Sequence, residues 1–334
     1  MTRPEEQNFI LKSEHVIKAP RERVFNAWAK SATKRFIFSS LMFVLVTLAG
    51  AQGWAASVKD AYVITKDSTK IHYLDSGQDT AAPALVLISG WRLPPSIWEA
   101  QIQHFSKSQR VIAVDSRSQG DSTKTTEGNT PEVRAADLHE LITKLGLTQV
   151  VLVGWSQGAQ DVAAYVGQFG EEKLAGLVLV DSPVSAGPAE VELRPEFVKQ
   201  ELGMIATFAA HPKEYSEGMA AAIFKKPRDA AFIDRLVTDM MKTPASTAQA
   251  MLVMDMFAVD RRPILGKISK PTLIVAAVDS PLFEAEKDMG VHIANSKFVS
   301  MEGVGHALFV DDPVKFNELL EQFLDGLKNP GSRH

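Results

Sequence analysis

The sequence predicts an α/β fold: a mostly parallel, eight-stranded sheet flanked by helices and interrupted by one helical insertion. Three observations predict it. From Tyr62 onward, short β-branched runs alternate with amphipathic helical stretches. The runs are brief and apolar, as strands covered on both faces of a parallel sheet are. About 90 residues between Asp181 and Thr272 carry no strand pattern, too many for a plain loop.

Composition sets the bounds. The 334 residues, 45% hydrophobic and 23% charged, suit one large α/β domain or two smaller ones. A formal charge of -4 with no Lys/Arg block argues against nucleic acid as a partner. With Cys 0 there is no disulfide framework, thiolate zinc site or cysteine nucleophile.

The amino-terminal segment has the layout of an export signal. Lys34 and Arg35 precede the apolar run Phe36 to Ala49, and small residues follow at Ala49-Gly50-Ala51 and Gly53-Trp54-Ala55. That run is shorter than the roughly 20 residues a stable span needs. Residues 31–56 are therefore expected to act as a signal peptide, giving an exported (periplasmic or secreted) protein; an uncleaved membrane anchor is the alternative. Residues 1–30 make the leader unusually long. Within them, residues 9–28, Phe9-Ile10-Leu11 through Ala27-Trp28, resemble the first strand and helix of an SRPBCC (START-like) domain, as a fusion remnant or upstream-extended start would; chance similarity is the plain alternative.

The core is expected at 57–183 and 263–334. Tyr62 to Lys66 and Ile71 to Asp75 read as a hairpin. Leu85 to Ile88, Val111 to Asp115, Val150 to Val153, Leu177 to Val180, Leu273 to Ala276 and Lys297 to Met301 complete the sheet. Pro131 opens a helix with Leu138, Leu141, Ile142 and Leu145 on one side and Gly146 at its end. After Pro313, Phe316, Leu319, Leu320, Phe323, Leu324 and Leu327 recur at three- and four-residue steps. Residues 184–262 read as a helical cap: Pro195 to Ala210, Glu214 to Phe224, Arg228 to Met241 and Ala245 to Val259 are helical, with Pro212, Pro227 and Pro244 between them. The cap is rich in methionine, either as ordinary packing or as an adaptable apolar pocket lining.

Chemistry is suggested first by Gly154-Trp155-Ser156-Gln157-Gly158. A G-x-S-x-G that follows a strand and precedes a helix makes a sharp turn, with the serine hydroxyl projecting above the sheet beside a helix N-terminus. Ser156 then needs a base, and His306, in the loop Gly303-Val304-Gly305-His306-Ala307 between the last strand and last helix, is the best placed. His72, His139 and His292 fall in a hairpin or on helical stretches, where packing or surface roles are the default. The orienting carboxylate is expected to be Asp279, which follows an apolar strand and gives the order Ser, Asp, His. Asp181, at the end of another strand, is the alternative acid, with a helix-cap or turn role as its plain reading.

From about residue 60 to 327 the chain resembles the α/β-hydrolase superfamily, close to its esterase, lipase and non-haem haloperoxidase-like branches. The resemblance implies the α/β-hydrolase fold, a triad of Ser156, Asp279 and His306, and an oxyanion hole made by the backbone NH groups of Trp91 and Gln157. Ser89-Gly90 stands where many members have His-Gly, which leaves the support of that loop open. Ser118 stands in place of the usual glycine in the turn Asp115 to Ser122. Trp98 and Trp155 are candidates to wall an acyl pocket, with ordinary core packing as the alternative. Arg92 could meet an acidic substrate group, although a solvent-facing arginine is the simpler expectation.

The function so implied is a serine esterase cleaving a carboxylic ester of a small or medium apolar substrate through an acyl-enzyme. A lactonase, C–C bond hydrolase or cofactor-free perhydrolase/haloperoxidase would use the same triad, and a non-catalytic ligand-binding member of the fold is a further alternative. The partner implied is a small-molecule ester or lactone, with a membrane involved only if the leader stays uncut. No HExxH, Walker A or dinucleotide fingerprint is present, so no metal or cofactor is implied.

Overall fold

The computed structural model describes residues 58–77 and 80–328. The readings of residues 1–30 and 31–56 lie outside these. Among the described residues no helix is long and apolar enough to cross a membrane.

Eight strands form one sheet: β1 (Lys59–Ile64), β2 (Lys70–Asp75), β3 (Ala84–Ile88), β4 (Val111–Val114), β5 (Val150–Trp155), β6 (Leu174–Val180), β7 (Thr272–Ala277) and β8 (Ser296–Met301). Their spatial order is β1-β2-β4-β3-β5-β6-β7-β8. β1 and β2 pair antiparallel, as do β2 and β4; every later pair is parallel. This is the α/β-hydrolase fold expected from the sequence. β3, β4, β5 and β7 are buried along their whole length, whereas the edge strands β1 and β8 keep exposed positions.

Alternate residues of the inner strands feed opposite cores, because successive side chains leave a strand on opposite faces. Leu85, Leu87, Val151, Val153, Leu273 and Val275 pack with α1 (Glu99–Phe105) and the last helix, Pro313–Lys328. Val86, Ile88, Leu152 and Ile274 pack with α2 (Pro131–Lys144) and α3 (Gln157–Phe169). Thr130 caps α2 by accepting the Val133 amide, and Pro131 occupies a position whose missing N–H costs nothing. α1 carried no clear apolar period in the sequence: a glutamine, Gln101, is one of its buried residues and bonds Asn317 and the Phe309 carbonyl.

Between β6 and β7 the chain runs through α4 (Pro195–Ala210), α5 (Pro212–Ala222), α6 (Ala230–Met240) and α7 (Ala245–Val253), then a π-helical turn over Met254–Ala258. Proline opens α4 and α5, and the Asp229 carboxylate caps α6 by accepting the Phe232 amide. The two ends of this insert are fastened together. Ala186 bridges Asp260, Arg261 N donates to Ser185 O at 2.9 Å, and Ser185 Oγ donates to Met256 O at 2.5 Å. Gly187 lies at φ +59°, where a Cβ would stand 2.4 Å from the Asp260 nitrogen, so only glycine fits the crossing. After β7 come α8 (Phe283–His292) and α9 (Pro313–Lys328).

Candidate active site

Ser156 sits between β5 and α3 at φ 55°, ψ -117°, a backbone state that non-glycine residues rarely adopt. The glycines on either side explain how the turn closes. A Cβ on Gly154 would stand 2.3 Å from the Gly158 carbonyl oxygen, and one on Gly158 would stand 2.5 Å from the Ile88 carbonyl oxygen. The G-x-S-x-G spacing therefore records two close backbone approaches that hold the serine half-exposed at the carboxyl end of the central strand.

His306 lies where the sequence predicts, on the loop between β8 and α9. Its carbonyl accepts the Trp155 Nε1 proton at 2.9 Å, and the two rings are 5.2 Å apart, which ties the histidine loop to the residue preceding Ser156. The loop is also fixed from the insert: Ala307 N donates to Ile223 O at 2.9 Å, and a Cβ on Gly305 would stand 2.7 Å from that same oxygen. The Asp311 carboxylate, which the sequence did not single out, gathers the amides of Gly305 (2.7 Å), Lys225 (2.7 Å) and Lys226 (3.2 Å) and the Arg228 guanidinium (2.8 Å).

The acid beside His306 is a correction to the sequence reading. Asp181 Oδ2 is 2.7 Å from His306 Nδ1, and Asp181 Oδ1 accepts the Ala277 amide at 2.7 Å. Asp181 follows β6 at φ 46°, with its side chain 2% exposed. Asp279, the preferred candidate, is not brought to the histidine: its side chain is 64% exposed and pairs with Lys225 Nζ at 2.8 Å. The reason is local. β7 stops at Ala277, whose amide serves Asp181, and the turn closed by Ser280 N on Ala277 O carries Asp279 outward.

The loop Ser89–Leu93 approaches the serine from the other side. A Cβ on Gly90 would stand 3.1 Å from Ser156 Cβ and 3.5 Å from its Oγ, so the loop backbone lies directly against the hydroxyl. The support left open by the Ser89-Gly90 departure is present: Ser89 Oγ accepts Trp98 Nε1 at 3.2 Å and donates to Pro94 O at 3.3 Å. Trp98 stacks on Phe309 at 3.8 Å and meets Trp155 edge-on at 6.4 Å, both indoles fully buried in the core cluster that includes β3 and β5 residues. Core packing is thus what the structure gives Trp98 and Trp155. Trp91 reaches into the insert, donating Nε1 to Ala248 O at 2.9 Å and meeting Phe208 at 5.1 Å.

Arg92 does not face solvent. It is 1% exposed, at φ 61°, with its guanidinium carbon 4.1 Å over Trp91 and 4.3 Å over Phe208. Its amide donates to Gln119 Oε1, Gln119 Nε2 donates to Gln157 Oε1 at 2.6 Å, and Gln157 Nε2 donates to Asp255 Oδ2 at 2.5 Å. Asp255 in turn holds Arg134 at 2.7 Å, and Arg134 reaches Asp161 on α3 at 2.8 Å. Burial pushes the Asp161 carboxyl up to about 6, against the pull of Arg134. This network spans the Ser89–Leu93 loop, α3 and the insert; isolated polar residues scattered from Arg92 to Asp255 gave no sequence signal for it.

Among the described residues His72, Asp115 and Asp121 bring ligand atoms within 4.8 Å of one another. All three side chains are already engaged, although Asp115 Oδ1 is without a partner among the described residues: His72 Nδ1 with Asp115 Oδ2 (2.6 Å), His72 Nε2 with Asp60 (2.9 Å) and Asp121 with Lys242 (2.9 Å). The cluster reads as an ion-pair knot beneath the hairpin. Ser118, in the turn beside it, holds φ 64° where a glycine would be at ease, anchored by its Oγ on Thr125.

The sequence profile described as the Alpha/beta hydrolase family matches residues 85–319. The chain belongs to this family. The α/β hydrolase is 29% identical over 275 residues to the non-heme chloroperoxidase CPO-A1 of Kitasatospora aureofaciens, covering 78% of this chain and 98% of that one. It is 27% identical over 276 residues to a bifunctional esterase/perhydrolase of Acinetobacter calcoaceticus, covering 79% and 99%. Among solved structures it resembles an esterase from Exiguobacterium antarcticum with a TM-score of 0.71 at 23% identity, covering 80% of this hydrolase and 100% of that chain. The SRPBCC resemblance at residues 9–28 is not borne out by these comparisons.

Proposed function

We propose that this α/β hydrolase is a serine esterase in which Ser156, His306 and Asp181 act as nucleophile, general base and orienting acid. The observation that carries the reading is the 2.7 Å Asp181–His306 pair on a loop bonded to Trp155, beside a serine held in a strained turn. Ser156 Oγ attacks the ester carbonyl as His306 Nε2 takes its proton. His306 then protonates the leaving alcohol, and water attacks the acyl-enzyme by the reverse route. Asp181 on Nδ1 keeps the proton-accepting lone pair on Nε2 and stabilises the imidazolium that forms. The Trp91 and Gln157 amides are the donors we assign to the oxyanion. The approach of Gly90 to Ser156 and the start of α3 at Gln157 support this.

The names of the relatives favour a second reading of the same machinery, in which hydrogen peroxide resolves the acyl-enzyme to a peracid. A fluorophosphonate probe should label Ser156, with p-nitrophenyl acetate and butyrate turned over. Ser156→Ala should lose both label and turnover. An unlabelled wild-type protein that turns over neither ester would refute the reading. Peracid formation from an ester donor and peroxide, compared with the rate of hydrolysis, separates the two resolving nucleophiles.

A further inference from the structure

Arginine–carboxylate pairs recur in this molecule with one geometry. Arg110 on Asp75 (3.1 and 2.8 Å), Arg117 on Asp137 (2.8 and 2.6 Å), Arg194 on Glu190 (2.7 and 2.6 Å) and Arg262 on Asp260 (2.9 and 2.7 Å) each donate from Nε and Nη2 to the two oxygens of one carboxylate. That is the side-on fork, whose two parallel N–H bonds match a carboxylate. Arg92 holds the same edge empty. Its Nε and Nη2 are buried with no hydrogen-bond partner among the described residues, while Nη1 donates to Ser216 Oγ at 2.9 Å.

We propose that the free Nε/Nη2 edge of Arg92 is a carboxylate receptor, so that the preferred substrate is an ester or lactone carrying an anionic carboxylate. The inference rests on the serine-esterase reading and adds the substrate class. Position supports it. Arg92 lies two residues beyond Gly90, whose backbone faces the Ser156 hydroxyl, in a turn closed by Leu93 N on Gly90 O at 3.1 Å. Its amide is linked through Gln119 to Gln157, the residue after the serine.

Charge supports it as well. Burial lowers the guanidinium to about 10, still charged at neutral pH. The titratable group that faces it is Tyr215, whose phenol burial pushes up to about 12 and keeps neutral; Glu201, raised to about 7, faces Tyr215 and Arg194 instead. The Trp91 and Phe208 rings offset part of the desolvation of Arg92 but supply no counter-charge. A ligand carboxylate would complete both the charge and the fork, in a site whose donors have already lost their water. The surrounding side chains can yield to admit one. Met204 touches the Tyr215 hydroxyl, Met241 touches Ser216, and Met219 and Met251 pack with Trp91 and Phe208. Thioethers re-pack at little cost.

The test compares initial rates on the monoethyl and diethyl esters of succinate, glutarate and adipate, with the free diacids as inhibitors, for the full chain, Arg92→Met and Arg92→Lys. Within each protein the ratio of kcat/KM for monoester over diester cancels any general loss of activity. We expect that ratio to exceed ten in the wild type for at least one chain length, to fall at least tenfold in R92M, and to be intermediate in R92K. The best-matched diacid should inhibit the wild type competitively, and R92M at least tenfold more weakly. A wild-type protein that labels with fluorophosphonate and hydrolyses diesters, yet shows a ratio near one and no inhibition by any diacid, overturns the carboxylate receptor and leaves the esterase reading standing. Absent labelling overturns the esterase reading itself. Should R92M fail to fold, the wild-type ratio, diacid inhibition and R92K decide.

Discussion

Ser156 holds a backbone conformation that costs about 1–3 kcal/mol, and Asp181 likewise stands at positive φ beside its histidine. The strained acid on His306 Nδ1 makes a sharp prediction about which acid matters. Asp181→Asn should lower kcat on the order of 10⁴-fold, whereas Asp279→Asn, altering an exposed ion pair, should stay within about threefold of wild type, a shift no larger than surface pairs are worth. Steady-state kinetics on one activated ester reads both. The reverse ranking would restore Asp279.

Glu286 on α8 carries a second prediction at this scale. It is fully buried, and its oxygens face Ser280 and Asp181 without a well-formed hydrogen bond; burial first, then the Asp181 charge, pushes it up to about 9. The folded value is thus above the unfolded one. Between about 4.5 and about 9 the unfolded chain releases a proton that the native protein retains, so stability falls as pH rises through that window, by at most about 1.4 kcal/mol per pH unit. Glu286→Gln keeps the shape without the proton. Its melting temperature should match wild type near pH 5 and exceed it by a few degrees at pH 8; a pH-independent difference would refute the linkage.

The sequence reading preferred Asp279 with little to separate it from Asp181, because both follow Ser156, precede His306 and end apolar strands. What separates them is a tertiary fact: the Ala277 amide points at Asp181. The solvent-facing expectation for Arg92 failed for the same reason, since the groups that bury it, Phe208 and Ser216, are more than a hundred positions away.

Elements were more legible than the contacts between them. Apolar runs marked the strands because a strand covered on both faces has no polar side to show, and proline or a capping side chain marked the helices of the insert. Element ends differed where strain or close packing intervened: β5 runs on through Gly154-Trp155 into the turn, and the helix expected to reach Val259 widens into a π turn after Val253. Invisible in the sequence was how the insert and the histidine loop share Asp311. Asp311→Ala would strand the Arg228 guanidinium and three amides together, at a cost of about 3–5 kcal/mol. Urea denaturation should show that loss, and kcat should fall more than KM rises, because the loop that carries His306 is released while the walls around Arg92 remain. Equal stability of variant and parent would show that water replaces the carboxylate.

For the whole molecule, the sheet does two things at once. Parallel strands end together at one edge, so residues following β5, β6 and β8 meet there although they come from distant parts of the chain, as ligand sites in open α/β sheets generally do. The order β1-β2-β4-β3-β5-β6-β7-β8 puts β6 beside both β5 and β7. An acid after β6 therefore sits next to the serine turn on one side and takes an amide from the end of β7 on the other.

The fastening of Ala186 to Asp260 bears on how the chain as a polymer tolerates change. Once Ser185 and Arg261 are bonded, everything from Gly187 to Val259 is a side branch leaving and rejoining the core through one narrow neck. The entropy of closing such a branch grows by only about 0.6 kcal/mol for each doubling of its length. The branch can therefore change length at little entropic cost, provided that Ile223 to Arg228, Ala248 and Asp255, which bond the histidine loop, Trp91 and Gln157, keep their places. The neck sets where the branch begins and ends, while those contacts carry the branch's position to the loops around Ser156 and His306.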